Sequence, residues 1–154
     1  MNDEFFMKKA IELSVSAGER GNEPFGAVLV KNGEIVGENE NQIHTAHDPF
    51  WHAESGLLQK FMKETGITDL REYTMYASCE PCFMCSGMLV WAKIGRVVYG
   101  ASNIDLQEVV GRQGCNCSAM VFDNSFWHPE VTAGVLRDEA VDVLKKHFST
   151  HPKA

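Results

Sequence analysis

The sequence predicts an α/β fold, a three-layer α/β/α sandwich around a central mixed five-stranded sheet. Three observations predict it. Segments of helical and of strand period follow one another as α-β-β-α-β-α-β-β-α, an order that covers both faces of one sheet with helices. Asn32-Gly33 separates two apolar runs, and an Asn-Gly pair accepts the positive φ angles of a type I′ hairpin turn. A chain of 154 residues buries roughly 70% of its unfolded surface, enough for a real core in one domain spanning residues 1–154.

The first helix is expected over residues 3–17. Phe6, Ala10, Leu13 and Ala17 recur at helical spacing, Asn2 or Asp3 caps the start and Gly18 stops it. FGAVLVK and EIVGE are the two strands of the hairpin. A polar loop over about 39–51 leads to HAESGLLQKFMKETG, where Ala53, Leu57, Leu58 and Phe61 form one apolar stripe and Gly66 ends the helix. YTMYAS is a short strand. Pro81 suits the first turn of the next helix, about 82–92, because its missing N–H has no partner there. RVVYGA is a buried strand. Residues 102–128 show no clean period and are expected as a long loop holding one helical turn, a length that in compact domains is often functional. A strand at EVTAGV and a helix over about 137–148, with Val141, Leu144 and Phe148 on one face, close the chain.

Composition narrows the function. The chain is 44% hydrophobic and 23% charged, and no apolar run approaches a membrane span. The N-terminus MNDEFFMKKAIEL lacks the basic and apolar regions of a secretory signal, so a cytoplasmic location is expected. A formal charge of −7 and a nearly neutral stretch from residue 137 onward favour a small or uncharged substrate over a phosphate backbone. Five cysteines, with a Cys-x-x-Cys pair among them, read in a reducing compartment as metal-binding or redox chemistry.

The chemistry concentrates in His52, Glu54, Cys82 and Cys85. A catalytic zinc takes three protein ligands and keeps a fourth position for water, and one His with two Cys meets that count. Cys82 and Cys85, three apart at a helix start, set both sulfurs on one side, where the positive helix end favours thiolates. Glu54, two residues after His52, is then free to move protons. Water acidified by zinc, its pKa lowered from 15.7 to about 7, would give its proton to Glu54, which passes it to the ring nitrogen and to the leaving amine. The plainer reading is a structural zinc closed by Cys115 or Cys117, although packing is the simpler role for those two.

His-x-Glu followed by Pro-Cys-x-x-Cys is the known signature of zinc-dependent nucleobase deaminases, and His52-Ala53-Glu54 with Pro81-Cys82-Phe83-Met84-Cys85 matches it. The chain resembles the cytidine deaminase-like superfamily, in the branch of guanine deaminases, fungal-type cytosine deaminases and tRNA adenosine deaminases. PFGAV at 24–28 and YASCEPCFMC at 76–85 look most like bacterial guanine deaminases, whereas IGRVVYGA and HPEVTAGVLRDEA look like the tRNA enzymes. The 102–128 stretch matches none of them well. The resemblance implies one zinc per subunit on His52, Cys82 and Cys85, with Glu54 as the proton shuttle. It also implies a homodimer with the site near the subunit interface, and Asn41 as a hydrogen-bond partner of the base. Phe25 and Trp127 are candidate stacking faces, and Ala53 and Asp123 further candidate substrate contacts. The expected activity is hydrolytic deamination of a base, guanine first and cytosine or isocytosine-type rings next. The rivals are tRNA adenosine deamination and a zinc-stabilised scaffold without activity.

Overall fold

A computed structural model describes residues 2–152. Along the chain it runs α1 (Asp3–Glu19), β1 (Gly26–Lys31), β2 (Glu34–Glu40), α2 (Ala53–Thr65), β3 (Tyr73–Cys79) and α3 (Phe83–Trp91). Then follow β4 (Arg96–Ala101), α4 (Asn103–Val109), α5 (Cys117–Asp123), β5 (Glu130–Ala133) and α6 (Arg137–Thr150). The five strands form one sheet in the order β2-β1-β3-β4-β5. β1 is antiparallel to β2 and β3, while β3, β4 and β5 are parallel, so the sheet is mixed as expected.

Alternation along each strand divides the core. Ala27, Leu29, Met75 and Val97 face α2, α3 and α5, where they meet Leu57, Phe61, Leu89 and Phe122. Val28, Val30, Tyr76 and Val98 face α1 and α6, where they meet Phe6, Met7, Ala10, Leu144 and Phe148. A period of two is what puts successive residues into opposite layers, and both layers are apolar because both faces are covered. The register slips between Leu29 and Val30, a bulge opposite Ile35–Gly37 on the outer strand.

Local rules explain most element ends. Asn2 caps α1 by accepting from Phe5 N at 3.1 Å. Asn32 and Gly33 sit at φ 51° and 75°, the turn that joins β1 to β2. Gly66, at φ 75°, closes α2. Two expectations shift slightly. Gly18 does not stop α1, which continues to Glu19; a Cβ there would meet His147 Nδ1 at 3.0 Å, so its smallness admits α6 rather than ending the helix. Pro81 stands two residues before the first residue of α3, and Cys82 between them is the cap.

The larger correction concerns 102–128, which carries two helices of seven residues each. Ser102 and Asp105 form a reciprocal capping box, Ser102 Oγ accepting from Asp105 N at 3.0 Å and Asp105 Oδ2 from Ser102 N at 2.9 Å. That box starts α4. α5 begins where Glu80, from the end of β3, accepts from Ser118 N at 2.9 Å and Ser118 Oγ at 2.6 Å. Segments this short show no readable period, and one of them depends on a partner 38 residues away.

Candidate metal and active site

The site lies beyond the carboxyl ends of β3 and β4, where open α/β sheets place their ligands. Because β1 is antiparallel to β3, its beginning, and with it Phe25, reaches the same end; the end of β2 brings Asn41 there. α2 and α3 both start at this point. Each uses its cap residue as a potential ligand, His52 for α2 and Cys82 for α3, and Cys85 follows in the first turn of α3.

Their donor atoms cluster within 4.8 Å of one another. His52 Nδ1 stands 3.5 Å from Cys82 Sγ and 3.7 Å from Cys85 Sγ. A tetrahedral zinc with bonds of about 2.3 Å to sulfur and about 2.0–2.1 Å to nitrogen separates such ligands by about 3.6 Å. The donor set therefore fits zinc in kind, number and spacing. Cys117, buried, donates its thiol to Pro81 O at 3.3 Å, and neither it nor Cys115 joins the metal cluster.

The electrostatics agree. The neighbouring Cys85 thiol, the His52 ring and the Cys85 backbone N–H stabilise Cys82 as a thiolate and lower its pKa to about 4. The hydrogen bond to Cys82, with burial second, holds the Cys85 proton in place, so Cys85 is pushed far up. A divalent cation held by His52, Cys82 and Cys85 would displace that proton and let both sulfurs ionise. His52 is raised, chiefly by its contact with Cys82. Burial, with the Cys82 charge second, pushes Glu54 up to about 7.

A cavity of about 230 Å³ opens against this cluster, lined by His52, Glu54 and Cys82 together with Phe25 and Asn41. Glu54 is 6% exposed and outside the ligand group. Asn41 is 2% exposed, and its Oδ1 accepts from Ile43 N at 3.1 Å. That bond fixes the amide and leaves its NH₂ as the donor for the cavity. Burial raises the Cys79 thiol, which lines the same wall and stays protonated.

Three candidate substrate contacts are placed elsewhere. Ala53 is packed in the core on the α2 side. Asp123 is exposed at the end of α5. Trp127 packs against the same core, its Nε1 donating to Ile94 O at 2.8 Å, and none of the three lines the cavity. Trp127 is an indole that needed a partner and found a backbone carbonyl. The wall is completed by Glu23, Ile43 and Glu80, and by Asn103, Leu106 and Gln107 of α4. Sequence reasoning missed these six. Glu80 had one visible signal, its place two residues before Cys82.

A family model described as the cytidine and deoxycytidylate deaminase zinc-binding region matches residues 1–101. The guanine deaminase of Bacillus subtilis (strain 168) is 40% identical over 134 residues, 85% of this chain and 78% of that protein. The tRNA-specific adenosine deaminase of the same organism is 36% identical over 149 residues, 95% of this chain and 88% of that one. A solved structure from work on A-to-I editing by tRNA:A34 deaminases superposes with a TM-score of 0.78 at 29% identity, covering 90% of this chain and 98% of that chain. These relatives are hydrolytic enzymes that act on amidine C–N bonds. With its ligand triad in place and its first two thirds matched, this chain belongs to the zinc-binding cytidine and deoxycytidylate deaminase family.

Proposed function

We propose that the protein deaminates a free amino-substituted base, guanine first and cytosine- or isocytosine-like rings next, releasing ammonia and the carbonyl product. The observation that carries this reading is the cavity itself, which joins His52 and Cys82, the buried Glu54 and the oriented Asn41 amide in about 230 Å³. That volume falls below the roughly 300–1,000 Å³ that drug-sized ligands occupy. It suits one ring.

Zinc, when bound, supplies the Lewis acidity that makes water a nucleophile at neutral pH. The chain supplies the rest. Glu54 takes one proton of the attacking water and delivers it to the ring nitrogen beside the amino-bearing carbon, then takes the second from the hydroxyl now on that carbon and delivers it to the amine, which leaves as ammonia while the carbonyl forms. Asn41 donates its NH₂ to an acceptor on the ring edge, and Phe25 gives the ring an aromatic wall. The proposed assembly is a homodimer in the cytoplasm.

The test is ammonia release from guanine, cytosine, isocytosine, adenine, their nucleosides and a tRNA anticodon stem. Turnover of a free base is expected; turnover confined to the tRNA would overturn the reading. The tRNA alternative has its own support, because the tRNA-specific relative matches 95% of this chain against 85% for the guanine deaminase. Against it stands the charge of −7. Phosphate contacts would show as steep salt dependence of binding.

A further inference from the structure

We propose that Gln107 is a specificity-determining residue of this site, its side-chain carbonyl accepting a hydrogen bond from a ring N–H of the substrate. The proposal rests on the deaminase reading above. Gln107 lines the cavity from α4, beyond residues 1–101 that the family model matches. Its amide has a set orientation: Nε2 donates to Asn103 Oδ1 at 3.2 Å, which leaves Oε1 as an acceptor. Among the described residues no donor meets that oxygen.

Asn103 is held on three sides. Its backbone N–H donates to Glu80 Oε1 at 2.9 Å, its Nδ2 donates to Cys115 O at 2.9 Å, and its Oδ1 accepts from Gln107. Glu80 is 5% exposed, and its second oxygen anchors Ser118 on α5. It also stands two residues before Cys82. One buried carboxylate thus fixes α4 relative to the turn that carries a zinc ligand, and Glu80 and Asn103 act as positioning residues for Gln107.

The consequence is a polarity code. Asn41 offers a donor and Gln107 an acceptor. A ring carrying both a carbonyl and an N–H beside its reacting amidine, as guanine and isocytosine do, satisfies both. The base of adenosine has no ring N–H and leaves the Gln107 carbonyl unpaired. A site built to hydrogen-bond a substrate group rejects analogues that lack it strongly, because an acceptor that the bound ring shields from water and leaves without a donor is costly.

The experiment compares wild type with Gln107→Leu and Gln107→Glu. It measures kcat/KM for guanine, isocytosine and their ring-N-methyl analogues, with zinc per chain and thermal unfolding as controls. Gln107→Leu is expected to lower kcat/KM on N–H rings at least about tenfold, and to narrow the preference over one N-methyl position by the same factor with zinc retained. Gln107→Glu keeps an acceptor and keeps the preference. Glu80→Gln has one amide oxygen for two helix starts; it is expected to raise KM and narrow the same preference while kcat changes less. An unchanged preference at every methylated position in Gln107→Leu overturns the proposal. Should that variant unfold, Gln107→Met carries the same comparison. If wild type turns over no ring, the deaminase reading fails on its own, and the ratio of dissociation constants for the same rings decides Gln107: equal ratios in wild type and Gln107→Leu sink it.

Discussion

At the scale of single residues, the proposed division of labour around the cavity separates binding the metal from moving protons. Glu54→Gln keeps shape and hydrogen-bonding capacity but cannot accept a proton. It is expected to lower kcat by about 10²–10⁴ while zinc stays at one per chain, a combination that metal analysis beside a rate assay reads directly. A scaffold without activity would show no rate to lose. The ligands were legible in the sequence because a three-residue spacing at a helix start already sets two sulfurs side by side, and His52 and Glu54 share one short segment. Glu80, Asn103 and Gln107 were not, because what places them is a set of hydrogen bonds between residues 12, 23 and 38 positions apart. Asp123 and Trp127 fail for the complementary reason. A chemically suitable side chain in an irregular stretch says nothing of direction until the stretch itself is seen to fold.

At the scale of elements, the candidate metal ligands join two helix starts that are 30 residues apart, so holding zinc would tie α2 to α3 as well as serve the proposed chemistry. Free zinc at a hundred times its dissociation constant is expected to add about 2.7 kcal/mol to unfolding. Cys85→Ser should erase most of that increment in a melt run with and without chelator. A second tie links α1 to β4. Asp3 takes both ends of the Arg96 guanidinium at 2.9 and 2.7 Å and accepts from Tyr76 Oη at 2.7 Å. The Arg96 hydrogen bonds hold its carboxyl below the usual 3.8, so the contribution is complete above that value and is lost as pH falls through the lowered one. Asp3→Asn is expected to cost about 1.5–3 kcal/mol at neutral pH, a gap that begins to close in denaturant titrations taken below about pH 3.8 and disappears only below the lowered value. The strands, the hairpin and the long helices followed from period and turn chemistry. α4 carried a readable Ser-x-x-Asp cap, yet seven residues gave too little pattern to act on.

At the scale of the whole molecule, Trp91 and Phe126 stand 76% and 59% exposed and contact each other edge to face at 5.1 Å. Trp91 ends the same helix that supplies two zinc ligands. In the proposed homodimer this pair is covered, and Trp91→Glu is expected to shift the sedimenting species toward monomer; an unchanged mass would place the interface elsewhere. No helix among the described residues is long and apolar enough to cross a membrane. The bulge between Leu29 and Val30 bears on the same question. It twists the outer hairpin strand, which also carries Glu34, Glu38 and Glu40, while the opposite margin of the sheet is a strand of only four residues. Charged, bent or short borders resist capture of a further strand. Self-association by extending the sheet is thereby disfavoured, and a second copy has the helical faces left to meet.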